Sequence, residues 1–157
     1  MIPLMLPAFD YKSKQKLNKT YILDLIRKKY LLLTPEEWVR QHMINYLIHH
    51  LAYPKGLIRS EKKINGTMGN YRPDIVLCDR LGIAKMIVEC KAYHLTLTEA
   101  TLGQIMQYHR QLSVDILLVT NGIMHFCWQL DHTTHQFKVM EHIPAHQEFC
   151  KELDYFG

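Results

Sequence analysis

Between Thr34 and Gly56 apolar residues recur at helical intervals, Val39, Met43 and Leu47 on one line with Ile44, Ile48 and Leu51 beside it. Thr34 is a good N-cap, Pro35 suits the first helical position, Glu37 stands where a capping box places its acid, and Pro54 with Gly56 ends the element. The pattern predicts a helix of roughly four turns with one core-facing stripe. Upstream, TYILDLIRKKYLLL has strand-like apolar runs without a clean period. Downstream, LIRSEKKI alternates as a strand does and NGTMGN reads as a turn or loop. RPDIVLCD and AKMIVECKAY then form two strands whose short connection favours an antiparallel hairpin. TLTEATLGQIMQYHRQL predicts a second helix, opened by a Thr96/Glu99 capping box. VDILLVT is a fully apolar strand, Asn121-Gly122 a tight turn, and IMHFCWQL and QFKVMEHI are two further strands. The order helix, three strands, helix, further strands predicts an α/β (α+β) fold built on one mixed sheet.

A chain of 157 residues that is 48% hydrophobic suits one core. Within it we expect an arm over 1–19, a domain over 20–145 and a tail over 146–157. The net charge of +4 permits an acidic partner without requiring one, but its distribution is uneven. Lys12, Lys14, Lys16, Lys19, Arg27, Lys28 and Lys29 are offset by Asp24 alone, and Lys55, Arg59, Lys62, Lys63 and Arg72 follow. This basic stretch is either a solvated face or a surface that meets phosphates. Cys78, Cys90, Cys127 and Cys150 have no CxxC spacing and read as buried reduced thiols of a cytoplasmic protein. MIPLMLPAF lacks a basic leader, is broken by Pro3 and Pro7, and is too short to span a bilayer. The histidines show no zinc-binding spacing, HFC being strand alternation and HTTH a turn.

Against this pattern stand Asp74, Glu89 and Lys91, charged residues beside strand cores. Alternation puts Glu89 and Lys91 on one face, and hairpin pairing brings Asp74 alongside Glu89 at a sheet edge. Two adjacent carboxylates favour a shared proton or a hard cation, which selects Mg²⁺ or Mn²⁺, with the Cys90 carbonyl as a third oxygen and Lys91 beside the bound water. That set suits phosphodiester hydrolysis. A second ion would need another acid, Glu37 or Glu61, although Glu37 also fits the capping box and Glu61 has Arg59, Lys62 and Lys63 for partners. The plain alternative is charge placed on an edge strand to block aggregation.

Pro73-Asp74, fourteen intervening residues and the ECK triplet at 89–91 resemble the PD-(D/E)XK nuclease superfamily. More narrowly, LTPEEWVRQ, YRPDIVL, VECKAY, QIMQY and VTNG resemble the N-terminal nuclease domain of type I restriction enzyme R subunits, in a short stand-alone form. The resemblance implies a restriction-endonuclease-like αβββαβ core, a central mixed sheet flanked by helices, and Mg²⁺-dependent (or Mn²⁺-dependent) DNA cleavage. It makes Asp74 and Glu89 metal ligands, Lys91 the water-orienting base, Glu37 the first-helix acid, and Gln104 and Tyr108 the Gln-xxx-Tyr pair of the second helix. No GxxxxGK[ST] loop is present, so no nucleotide cofactor and no translocating motor are expected in this polypeptide. DNA is the expected partner, a homodimer is one option, and no membrane is involved. The competing readings are a nucleic-acid-binding subunit with negligible turnover and a protein-interaction module.

Overall fold

The computed structural model describes residues 2–66, 69–112 and 114–155, without the side chains at 65–66, 69–70, 108, 111 and 152–155. Three strands, β1 (Ser13–Lys16), β2 (Lys19–Asp24) and β3 (Lys29–Leu32), form an antiparallel meander of their own. Helix α1 (Pro35–His49) follows, then β4 (Ile58–Ser60), a small pair β5 (Ile64–Gly66) and β6 (Gly69–Tyr71), and the strands β7 (Ile75–Cys78) and β8 (Ala84–Cys90). The chain continues through α2 (Glu99–His109), β9 (Ile116–Thr120), β10 (His125–Asp131), β11 (Gln136–Met140) and α3 (His146–Tyr155). Strands β11-β10-β9-β8-β7-β4 make one six-stranded sheet, antiparallel except for the parallel pair β8–β9. A parallel pair needs a crossover, and α2 supplies it.

Alternation along β7 to β9 divides the core between the two faces of this sheet. Met86, Val88 and Cys90 join Ile75, Leu77, Ile116 and Leu118 under α1, whose Val39, Met43, Ile44 and Leu47 are fully buried. Ile87, Leu117 and Val119 pack on the opposite face with Leu97, Leu102 and Trp128. The sequence-predicted stripe of α1 is therefore only part of its buried surface. Trp38, Arg40, Gln41, His42 and Asn45, outside that stripe, are buried as well; the N-terminal segment covers Trp38 and His42, and Asp24, Glu37 and Ser60 meet Arg40. The Trp38 indole donates to the Ile2 carbonyl at 3.1 Å, and Phe9 and Tyr11 pack edge-on against His42 and Trp38.

Several local expectations are altered. Thr34 caps α1 by accepting the Glu37 amide at 3.1 Å, but the Glu37 carboxylate does not return the bond; the Thr34 amide donates to the Leu32 carbonyl instead. The second helix is capped by Thr98, which accepts the Thr101 amide at 3.2 Å, and not by Thr96. The expected arm contains β1, and the expected tail forms α3, which buries Phe149 against Tyr53. LIRSEKKI yields a strand of only three residues, because Glu61 turns into the left-handed region at φ 51°. Cys78, Cys90 and Cys127 are buried free thiols, whereas Cys150 is exposed. No helix among the described residues is long and apolar enough to cross a membrane.

Candidate active site

The register between β7 and β8 pairs Ile75 with Val88, so its continuation sets Asp74 level with Glu89 at the end of β8. The Cys90 amide donates to Asp74 Oδ2 at 2.7 Å, fixing the carboxylate there. Strand β8 lies between β7 and β9, so Glu89 ends an interior strand and does not sit on the expected sheet edge. The anti-aggregation reading, which needs an edge strand, loses its basis.

Burial pushes the Asp74 carboxyl up to about 6; the Glu36 charge pushes the same way, while the Cys90 amide, Arg40 and Lys91 oppose it. Burial also drives the Cys90 thiol well above its usual range, helped by the charges of Asp74, Glu89 and Glu36. Asp74, Glu89 and Glu36 thus surround the end of β8 with negative potential. Lys91 is half-buried just beyond the strand; its amide donates to the Thr120 carbonyl at 2.8 Å, and its ammonium lies in the field of Asp74.

Glu37 points elsewhere. Its carboxylate takes hydrogen bonds from Arg40 Nη2 at 2.5 Å and from the Gln41 amide group at 2.8 Å. Arg40 in turn donates to Asp24 Oδ2 at 3.0 Å and to the Ser60 hydroxyl. Burial works against the Arg40 charge, but the hydrogen bond and charge of Glu37, with Asp24, raise its pKa. The acid of the first helix that acts on Asp74 is Glu36, exposed and one position earlier. Glu61 pairs with Arg27 at 3.1 Å, and with none of Arg59, Lys62 or Lys63. Gln104 is exposed on α2 with no hydrogen bond among the described residues, and the side chain of Tyr108 lies outside them.

A neighbour that sequence reasoning missed is His109, almost fully buried at the end of α2, with Nε2 3.5 Å from Glu89 Oε1 and its ring edge-on to Tyr71. Its spacing from Leu102 and Ile105 places it on the buried side of the helix, a signal present in the sequence.

Glu89 Oε1 is buried and accepts no hydrogen bond among the described residues. An acceptor oxygen so placed, on a strand end whose Cys90 amide also holds the strongly desolvated Asp74 carboxylate, fits a cation. Among the described residues no three His, Cys, Asp or Glu side chains gather tightly enough to cage an ion by themselves. This donor set matches Mg²⁺, which takes one or two carboxylates and fills its remaining positions with water and substrate phosphate.

Residues 35–144 match the family described as type I restriction enzyme R protein N terminus (HSDR_N). A fragment structure described as an HsdR subunit of a type I restriction enzyme from Vibrio vulnificus superposes with a TM-score of 0.52 at 19% identity, covering 77% of this chain and 25% of that one. At that identity the likeness speaks for the fold, and the present chain corresponds to a quarter of the length of the other. No curated protein matches the chain significantly. The matched segment takes in α1, the β7–β8 hairpin with Asp74 and Glu89, α2 and the remaining strands of the large sheet, and on that match the chain belongs to the type I restriction enzyme R protein N-terminus family.

Proposed function

We propose that the protein is a divalent-metal-dependent DNA endonuclease of the PD-(D/E)XK type, hydrolysing phosphodiester bonds. The observation that carries this reading is the placement of Asp74 and Glu89 level with each other at one interior strand end, the first pinned by the Cys90 amide and the second with a buried oxygen that accepts no hydrogen bond among the described residues and has His109 Nε2 at 3.5 Å. The order α1, β4, β7, β8, α2, β9 supports an αβββαβ core, and the family membership supports action on DNA.

Asp74, Glu89 and the Cys90 carbonyl would hold Mg²⁺ or Mn²⁺, with Glu36 taking the place expected of Glu37. The bound ion would supply charge neutralisation at the phosphate and a more acidic water. Lys91, next to Asp74, orients the attacking water and balances the negative charge that develops on the phosphate. Gln104 presents its amide from the exposed face of α2, one helical turn before Tyr108, toward the phosphate or Lys91.

The test is incubation of the wild type and a Glu89→Ala/Lys91→Ala variant with single-stranded, duplex and branched DNA in Mg²⁺, Mn²⁺ or EDTA. Cleavage by the wild type alone, abolished by EDTA, is the expected result. Salt-sensitive binding by both proteins without any cleavage would replace the nuclease with a binding subunit that lacks turnover.

A further inference from the structure

The family match begins at Pro35, and the segment before it builds the separate three-stranded meander. Its pairing defines two faces, because residues opposite one another in antiparallel strands share a side. Ser13, Ile22 and Leu31 lie on one; Lys14, Tyr21 and Leu32 lie on the other. Ile22 and Asp24 have no exposed surface, so their side is packed against the body, where Asp24 meets Arg40.

The outward side carries Lys14, Lys16, Lys19, Tyr21, Leu23 and Tyr30. Its lysines are exposed and its tyrosines half-buried, and Lys14 Nζ stands 4.1 Å from the Tyr30 ring centroid. Lys16 and Lys19 are directly opposite each other across a turn in which Leu17 and Asn18 take φ 50° and 58°. Like charges in that position repel. The acids of the segment are Asp10, before the first strand, and Asp24, on the inner side, and the ion pairs among the described residues leave out Lys12, Lys14, Lys16 and Lys19.

We infer that this outward face of the meander is a docking surface for the phosphodiester backbone of a polynucleotide, delivering it to the candidate site; the inference rests on the nuclease reading of that site. Two observations favour a linear polyanion. Lys12, Lys14 and Lys16 occupy alternate positions, so their charges recur about every 6.8 Å, the rise of about two nucleotides of duplex DNA. The other end of the meander adjoins the acids, since Arg27 bonds Glu61 at 3.1 Å and the Glu61 amide donates to the Asp74 carbonyl at 3.2 Å. From Asp24 the strand β2 carries the lysine tip about 17 Å from that end.

The test compares the full chain with a Lys12→Gln/Lys14→Gln/Lys16→Gln/Lys19→Gln variant, by fluorescence anisotropy on a 20-base-pair duplex and a 20-mer single strand, in EDTA and over a range of NaCl. Binding at low salt should weaken at least tenfold. The slope of log K against log[salt] should fall by up to about 3.6 on duplex or about 2.8 on single strand, according to which form the face holds. Thermal melts should match the wild type, and arginine at the same four positions should restore the slope. Unchanged affinity and slope in the glutamine variant would overturn the inference, as would poly-glutamate binding as tightly as DNA. Failure of the nuclease reading looks different: the lysine variant loses binding, but the wild type cuts nothing in Mg²⁺ or Mn²⁺.

Discussion

The Cys90 amide donates to Asp74 Oδ2 at 2.7 Å, tying the residue that opens β7 to the end of β8. Burial nevertheless raises the Asp74 carboxyl from its ordinary 3.8 to about 6. The folded state therefore binds this proton more tightly than the unfolded chain. Its contribution to stability is complete below the unfolded pKa and is lost as pH rises through about 6, leaving a penalty on the order of 3 kcal/mol at neutral pH. Asp74→Asn keeps an acceptor for the Cys90 amide and removes the buried charge. In EDTA it should raise Tm at pH 7.5, with most of the gain gone near pH 4; in Mg²⁺ the cleavage expected of the proposed nuclease should be lost. Scanning calorimetry at the two pH values checks the sign, and a gain that persists at low pH would place its source elsewhere.

Two neighbouring acids of α1 should separate cleanly. Glu37 neutralises Arg40 and orders Gln41, so Glu37→Gln should cost about 1.5–3 kcal/mol in urea unfolding. Glu36 is exposed and acts on Asp74 through its charge alone. Glu36→Gln should leave urea stability nearly unchanged and weaken Mn²⁺ binding in calorimetric titration. The reverse assignment, a stable Glu37→Gln with lost Mn²⁺ binding, would return the first-helix role to Glu37.

Arg40 joins the meander, α1 and β4 by reaching Asp24, Glu37 and Ser60. Its guanidinium is the principal cation beside Asp24, which is wholly buried and also receives the Ile26 and Arg27 amides at 2.8 and 3.0 Å. Arg40→Met should lower stability by about 3–5 kcal/mol, because it leaves that carboxylate buried without its main countercharge. Adding Asp24→Asn to the same chain should recover part of the loss. A double-mutant cycle in urea that shows simple additivity would deny the pair any coupling.

The β7–β8 hairpin was legible in the sequence because its signals are local. Alternation, a short connection and a Pro-Asp start predict β7 paired with β8, and the structure pairs Ile75 with Val88 accordingly. What alternation along one strand cannot reveal is how many neighbours the strand has. Glu89 read as an edge residue and lies inside the sheet, a fact decided by β9 returning in parallel from across α2. The engagement of Glu37 was hidden for a similar reason. Its position in the first turn of a capped helix gives no sign of Arg40, which binds it and is itself held by Asp24 from sixteen residues upstream. The burial of Trp38 and His42 outside the predicted stripe of α1 was not legible, because Ile2, Phe9 and Tyr11, which cover them, lie in a segment with no periodicity of its own.

That covering segment is anchored at Gly122. The Met5 amide donates to the Gly122 carbonyl at 2.8 Å, and Gly122 adopts φ 81°, where a side chain is strained. A Cβ there would also stand 2.8 Å from Leu4 Cδ1 and 3.2 Å from Val39 Cγ2. Gly122→Ala should therefore destabilise the protein by about 1–3 kcal/mol and loosen the segment over α1. Because the Trp38 indole donates to the Ile2 carbonyl, tryptophan fluorescence should shift to the red as that bond opens. The strain has two sources with different remedies. Leu4→Ala combined with Gly122→Ala relieves the contact but not the backbone, so relative to Leu4→Ala alone the added alanine should cost less than it does in the wild type, yet still cost something. If the second substitution removed the whole penalty, crowding by Leu4 and not the left-handed backbone would be what demands glycine at this turn.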